Sequence, residues 1–226
     1  MTEEDARAWL AGQGYGVDAI GRLDRLVDLV VEENTRQNLI SASTVPHMWS
    51  RHIVDSAQLL ALALADRADE GGLWADLGSG GGFPGLVIAC LREAPLLLVE
   101  TRGLRARFLE NCLTALGLGH ANVKQAKVER VTLERPASYI SARAFAPLDR
   151  TFDVANHLCD ENTLWLLPKG RSAQIELVSA RQEWQAAFHV EQSVTDAESA
   201  IIVAKGLKRR RHGRSGTGKS VGSRKA

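Results

Sequence analysis

WADLGSGGGFPGLVIACL, residues 74–91, decides how the rest of the chain is parsed. Leu73 to Leu77 is a short apolar run interrupted by one acid, Asp76, and Gly78, Gly80, Gly81, Gly82 and Gly85 follow within eight positions. Leu86 to Leu91 is apolar again and suits a buried helix. The stretch is therefore strand, glycine turn, helix. A turn that leaves a strand and opens a helix presents free backbone N–H groups, and residues lacking Cβ let a ligand lie against them. Pro84 fits near the helix start, where its missing N–H costs nothing.

Three nucleotide-type readings compete for glycine turns of this kind. Gly80 to Gly85 satisfies G-x-G-x-x-G, and Glu100 stands twenty residues after Gly80, where a nicotinamide dinucleotide fold has its ribose-binding acid. In such folds, however, the first glycine follows directly on the strand, whereas here Asp76-Leu77 ends the strand and Gly78 opens the turn. An acid two residues before a wide glycine turn better suits S-adenosylmethionine (SAM), whose ammonium wants a carboxylate and which brings no pyrophosphate. Gly213 to Ser220 spells a P-loop, G-x-x-x-x-G-K-S, but a working one needs a strand leading in and a helix leading out, whereas Lys208-Arg209-Arg210-Arg211 precedes it and only six residues are given after Ser220, so it is not expected to bind phosphate as a P-loop.

At 226 residues the chain is long enough for one good core, an α/β domain with an appendage. Its net charge of +1 conceals an asymmetry. Residues 205–226 hold nine Lys or Arg and no acid, and the remainder holds 19 basic against 27 acidic residues. The globular part is acidic and the tail basic, Gly/Ser-rich and expected to be disordered when free. Such a tail pairs with phosphates, and nucleic acid is the expected partner. Cys90, Cys112 and Cys159 show no C-x-x-C spacing, which predicts free thiols in a reducing cytoplasm and no metal site. No apolar run reaches membrane-spanning length, and the acidic start MTEEDARAWL lacks a signal peptide's apolar stretch.

In chain order, Thr2 predicts an N-cap with acids in the first turn, and Leu23, Leu26, Val27, Val30 and Val31 fall at helical spacing. A helix is expected from Pro46, capped at Ser43 or Thr44, with His52 and Asp55 able to interact at i and i+3. Residues 1–72 are thus a helical N-terminal region, 73–205 the core and 206–226 the tail. Strands are expected at Leu96–Val99, Val123–Ala126, Tyr139–Ala142, Leu164–Leu167 and Ala200–Ala204, with helices at Arg105–Leu116 and Ala173–Phe188. This alternation predicts a mostly parallel twisted sheet with helices on both faces, which binds its ligand at strand ends.

DLGSGGGFPGL, the preceding NLIS and MWSRHIVDS, then VETRGLRARFL, AKVERV, ISARAFAPL and LLPKG resemble, in this order, the motifs of the glucose-inhibited division protein B family. The resemblance covers roughly Asn38 to Gly170. It implies a Rossmann-like class I SAM-dependent methyltransferase acting on N7 of a guanine in the 530 loop of 16S rRNA. The substrate would be the RNA, the small subunit or an assembly intermediate, and the enzyme a cytoplasmic monomer. Carried over, the family's cofactor contacts fall on Gly78 and Phe83, on Val128 and Glu129, and on Arg143. Similar methyltransferases hold the ribose with the acid ending the second strand, here Glu100, while Asp76 and the turn with Gly80 would hold the methionine part. Arg105, Arg107, Lys169 and the tail residues Lys208, Arg209, Arg210 and Arg211 are candidate phosphate contacts. Leu104 departs from the family, which often has a lysine or arginine there. The D/N-P-P-Y/F/W motif of amino-methylating enzymes is missing, and guanine N7 needs none: its lone pair carries no proton, so no general base is assigned. Two alternatives stay open, a nicotinamide-dependent oxidoreductase and a catalytically idle RNA-binding protein.

Overall fold

The computed structural model describes residues 1–66 and 71–210. Two N-terminal helices, α1 (Glu3–Ala11) and α2 (Val17–Glu33), precede a 3-10 turn at Ala42–His47, a π-helical turn at Trp49–Val54 and α3 (Asp55–Ala65). Thr2 caps α1 as expected, its hydroxyl accepting from Asp5 N while the Asp5 carboxylate accepts from Thr2 N. The helix expected from Pro46 instead runs through three geometries. Pro46 lies inside the 3-10 turn, with Ser41 in the cap position. π-Helical turns are rare and concentrate at functional sites.

The core alternates β1 (Trp74–Leu77), α4 (Gly85–Leu91), β2 (Leu96–Glu100), α5 (Gly103–Ala115), β3 (Ala121–Gln125), β4 (Tyr139–Ser141), α6 (Leu148–Ala155), β5 (Leu164–Lys169) and α7 (Ala173–Glu183). It closes with β6 (Trp184–Gln192) and β7 (Ala200–Arg209). The sheet order is β3-β2-β1-β4-β5-β7-β6, parallel from β3 to β5, with β7 antiparallel to both β5 and β6. The order reverses between β1 and β4, so a crevice opens beyond their carboxyl ends.

Strand alternation divides the core in two. Trp74, Leu96, Leu98, Leu164 and Leu166 face one side, where α4 and α5 share a single apolar cluster with Leu10, Leu23, Leu26 and Leu59 of the N-terminal helices. Ala75, Leu77, Val99, Ile140, Trp165 and Leu167 face the other, under α6 and α7. The N-terminal region is thus one layer of the same core. Trp74, Trp165 and Trp184 are fully buried; each contributes at most about 4–6 kcal/mol by area.

Three further elements differ from those expected. The helix expected over Ala173–Phe188 ends at Glu183, and Trp184–Gln192 is a strand. Trp184, Ala186, Phe188 and Val190 pack inward at period two, a signal concealed behind the helical spacing of the preceding turns. Helix α6 was not anticipated: Leu148, Thr151, Phe152 and Ala155 are its buried stripe, in only eight residues. Finally, the last strand runs on to Arg209, so Gly206–Arg209 belong to the sheet and not to a tail. The decoy P-loop at 213–220 and Arg211 lie outside the described residues.

Candidate functional site

The glycine turn sits at the carboxyl end of β1, where the strand order reverses. Gly78 N and Ser79 N both donate to Val99 O, at 2.8 and 3.0 Å, which ties the turn to β2. Gly78, Gly80 and Gly82 have φ of 67°, 55° and 94°, in the left-handed region that favours glycine. At Gly78 sterics agree, since a Cβ there would lie 2.4 Å from Cδ2 of Phe145. A glycine turn whose single side chain, Ser79, is turned down onto Asp76 O, at the switch point and beside an acid ending the next strand, suits close approach of a cofactor such as SAM.

Two carboxylates hold this turn from beneath. Asp76 is 1% exposed; its Oδ1 accepts from Ser141 Oγ at 2.7 Å and its Oδ2 from Gly85 N at 3.2 Å. Ser141 in turn accepts from Trp74 Nε1 at 2.8 Å. Burial pushes the Asp76 carboxyl up to about 6, against the opposing pull of the Ser141, Ser79 and Gly85 hydrogen bonds and of Arg143. Both Asp76 oxygens are therefore occupied, and in this structure the residue anchors the turn. Glu100 Oε2 accepts from Gly80 N at 2.9 Å, while Oε1 takes Thr101 N, Arg102 N and, at 3.3 Å, the Thr101 hydroxyl. The expected ribose acid is also a clamp on the turn.

Val128 is buried against the second core, and Glu129 beside it is exposed and paired with Arg150 at 3.0 Å. Both lie in a 3-10 turn, Val128–Arg130, just past the end of β3. Phe83 is 5% exposed, its ring 4.8 Å from that of His52.

Arg143, at the end of β4, gathers His52 and Asp55 across the sheet edge. Its Nη1 donates to Asp55 Oδ2 and Arg51 O, each at 3.1 Å, and its Nη2 lies 2.9 Å from His52 Nδ1. A guanidinium can only donate, so His52 Nδ1 must accept; the ring is neutral and Nε2–H faces Thr44 Oγ1 at 2.9 Å. Burial, then Arg143 and Arg51, lower the His52 pKa to about 3. The i, i+3 pair expected on one helix becomes two ligands of a distant arginine.

Beside Arg143, a cleft of about 440 Å³ is lined by Asp55, Phe145, Lys169, Glu176 and Ser193. Lys169 is only 11% exposed, its Nζ bonded to Ala146 O at 2.7 Å and Glu176 Oε2 at 2.8 Å. As a free phosphate contact it is corrected to a tether between β5, α7 and the loop after β4. That loop holds Ala144 at φ 50°, the only non-glycine with positive φ among the described residues. Backbone strain of this sort concentrates at binding sites. Sequence reasoning missed Ser141, Phe145 and the Ser193–Ser199 loop, whose Thr195 hydroxyl donates to Asp55 Oδ1 at 3.0 Å. An aromatic two residues beyond a strand-end arginine was the available signal.

Arg105 Nη2 donates to Asn38 O at 2.8 Å, and Arg107 is exposed. Lys208 pairs with Glu161 at 3.5 Å, Arg209 with Asp153 at 3.1 Å, and Arg210 Nε with the carbonyls of Arg181 and Trp184. Because β7 is antiparallel, pairing Ala200 with Lys169 but Lys205 with Leu164, these cations emerge at the amino edge of the parallel strands. They lie across the sheet from the glycine turn. Cys90 and Cys112 are buried free thiols whose pKa burial raises to about 12. No helix among the described residues is long and apolar enough to cross a membrane, and no group of three or more His, Cys, Asp or Glu among them is placed to hold a metal.

Residues 19–203 match the family described as GidB, rRNA small subunit methyltransferase G. The ribosomal RNA small subunit methyltransferase G of Sphingopyxis alaskensis is 52% identical over 206 residues, 90% of this chain and 86% of that protein. Its counterpart in Novosphingobium aromaticivorans is 47% identical over 207 residues, 91% and 89% of the two chains. Among solved structures, a mutant MtNAS in complex with S-adenosylmethionine superposes with a TM-score of 0.55 at 15% identity, covering 82% of this chain and 72% of that one. An rRNA methylase from Streptococcus thermophilus gives 0.50 at 13% identity, covering 68% and 97%. At those identities the likeness is one of fold, the class I methyltransferase sheet expected from the sequence.

Proposed function

The chain belongs to the GidB, rRNA small subunit methyltransferase G, family, and from that premise we propose that it methylates N7 of a guanine in the 530 loop of 16S rRNA, using SAM. The observation that carries the reading is the left-handed glycine turn, at the point where the sheet order reverses, inside the segment that matches the family.

When bound, SAM supplies a methyl group on a cationic sulfur. The protein's share is placement, because guanine N7 is nucleophilic without losing a proton. The backbone of Gly78 to Gly82, whose N–H groups are mostly taken by Val99 O, Glu100 and Ser79 O, would form the floor of the cofactor site, with Asp76 and Glu100 fixing the turn from below. A ribose hydroxyl would compete most easily for Glu100 with the Thr101 hydroxyl, the longest of its four contacts. Val128, Glu129 and Phe83 would border the cofactor. Arg143 is held by Asp55 and His52, so it presents its charge at the cleft without reorganising. Phe145 and Arg143 border the space a base would enter. We take the enzyme to act as a monomer in the cytoplasm, on rRNA or a small-subunit particle.

Two alternatives fare worse. A nicotinamide-dependent fold continues its sheet in parallel beyond the fifth strand, whereas here antiparallel β7 intervenes. An idle RNA-binding protein has no need of a left-handed turn clamped by two carboxylates. Thermal melting separates all three. The demethylated cofactor at a hundred times its Kd should stabilise the protein by about 2.7 kcal/mol and NADH should not; Gly78→Val should abolish both that shift and methyl transfer. Stabilisation by NADH alone would restore the oxidoreductase reading.

A further inference from the structure

Cationic side chains in this protein segregate by whether an acid answers them. Over most of the surface they are matched: Arg7 with Asp24, Arg36 with Glu32 and Glu33, Arg51 with Asp196, Arg171 with Glu198. Residues 101–135 differ. They carry seven Lys or Arg against three acids, whereas the rest of residues 1–204 carries 12 against 24. Within this stretch Arg102, Arg107, Lys124, Lys127 and Arg130 are exposed, and among the described residues none of them has an ion-pair partner. One of the three acids, Glu129, is taken by Arg150 from outside the stretch.

The fold brings Arg102, Lys124, Lys127 and Arg130 to one border of the sheet. β3 is an outer strand, with Lys124 opposite Val99 and Gln125 opposite Glu100. A Cβ on Gly103 would lie 3.2 Å from Gln125 Nε2, so the start of α5 abuts the end of β3 and Arg102 stands beside it. Lys127 and Arg130 flank Val128 and Glu129, where Arg130 N donates to Lys127 O. Glu100, which accepts from Arg102 N, also accepts from Gly80 N, so this basic border adjoins the glycine turn. An otherwise acidic body would repel RNA, and an unmatched positive strip is the one described surface that would attract it.

We propose that Arg102, Lys124, Lys127 and Arg130 form a phosphate-binding track along the β3 border, which leads the rRNA strand to the methyl-transfer site. The proposal rests on the rRNA-methylation reading and gives it a route. It places the first RNA contacts next to the cofactor site, on the opposite edge from where the basic C-terminal segment leaves β7.

The test uses the full chain carrying Lys124→Ala, Lys127→Ala and Arg130→Ala, with an Arg36→Ala, Arg171→Ala control that removes two acid-matched cations. Affinity for 16S rRNA across a potassium chloride series should lose about two units of log–log slope in the triple variant. KM for RNA should rise at least tenfold, while kcat at saturating RNA and affinity for the demethylated cofactor stay unchanged. The control should behave as wild type. An unchanged slope and KM in the triple variant, with its cofactor binding intact, would overturn the track and leave the enzymatic reading standing. If wild-type protein methylates no rRNA, the enzymatic reading falls instead, and the salt slope still decides whether this strip binds RNA.

Discussion

At Gly78 two separate constraints meet. Its φ of 67° and the 2.4 Å approach of Phe145 exclude a side chain on separate grounds, backbone and contact. Gly78→Ala should cost about 1–2 kcal/mol of backbone strain and weaken cofactor binding by tenfold or more, measured by calorimetry. Adding Phe145→Ala should relieve the contact and leave the backbone cost. His52 and Asp76 supply a second test, because their pKa shifts tilt stability in opposite directions. His52 falls from 6.5 to about 3 on folding, so its contribution is full above pH 6.5 and is lost as pH falls toward 3. His52→Gln keeps an acceptor for Arg143 and a donor for Thr44. The stability advantage of wild type over this variant should shrink by about 2 kcal/mol between pH 7.5 and pH 5. Asp76 rises from 3.8 to about 6, so its contribution is full below pH 3.8 and is lost as pH rises through 6. Asp76→Asn should therefore gain on wild type as pH is raised from 5 to 7, and melting curves across this range check both signs. The glycines were legible in the sequence because their chemistry is local. The role of Asp76 as an anchor was not, because its partners Ser141 and Gly85 are 65 and nine residues away.

At the scale of elements, what could be read depended on how far a pattern ran undisturbed. The glycine turn with β1 and α4, and the β2 and α5 unit after it, were legible, because each strand has an acid at or next to its end, α4 is apolar all round and α5 has a clear apolar stripe. The boundary between α7 and β6 was not: Glu183 and Trp184 join without a turn residue, and a helical period passes directly into an alternating one. The site residues divide in the same way. Arg143 was found at a strand end, but its partners come from a π-helical turn, whose geometry no propensity announces, and from Asp55 at the start of α3. Lys169 illustrates the cost of reading a residue without its neighbours. Its ammonium joins the end of β5 to Glu176 of α7 and to the loop after β4. Lys169→Met should lower stability by about 2 kcal/mol, read by denaturant melting, and leave the salt slope of RNA binding where it is in wild type.

For the whole molecule, the two ends of the sheet have different roles. The cofactor turn, the Arg143 cleft and the basic β3 border share the carboxyl edge of the parallel strands, while β7 delivers Lys208 to Arg210 to the amino edge, where acids and carbonyls hold them. A chain ending at Arg210 should therefore melt at the same temperature as the full chain and keep its cofactor affinity, as a side-by-side melt and titration would record. The central claim concerns the reaction itself, and one assay addresses it: transfer of labelled methyl from SAM to small subunits from cells lacking this protein, with the modified nucleotide mapped. A single labelled N7-methylguanine in the 530 loop is expected, lost in the Gly78→Val variant. Label at another base, or none from a protein that binds SAM, would contradict it.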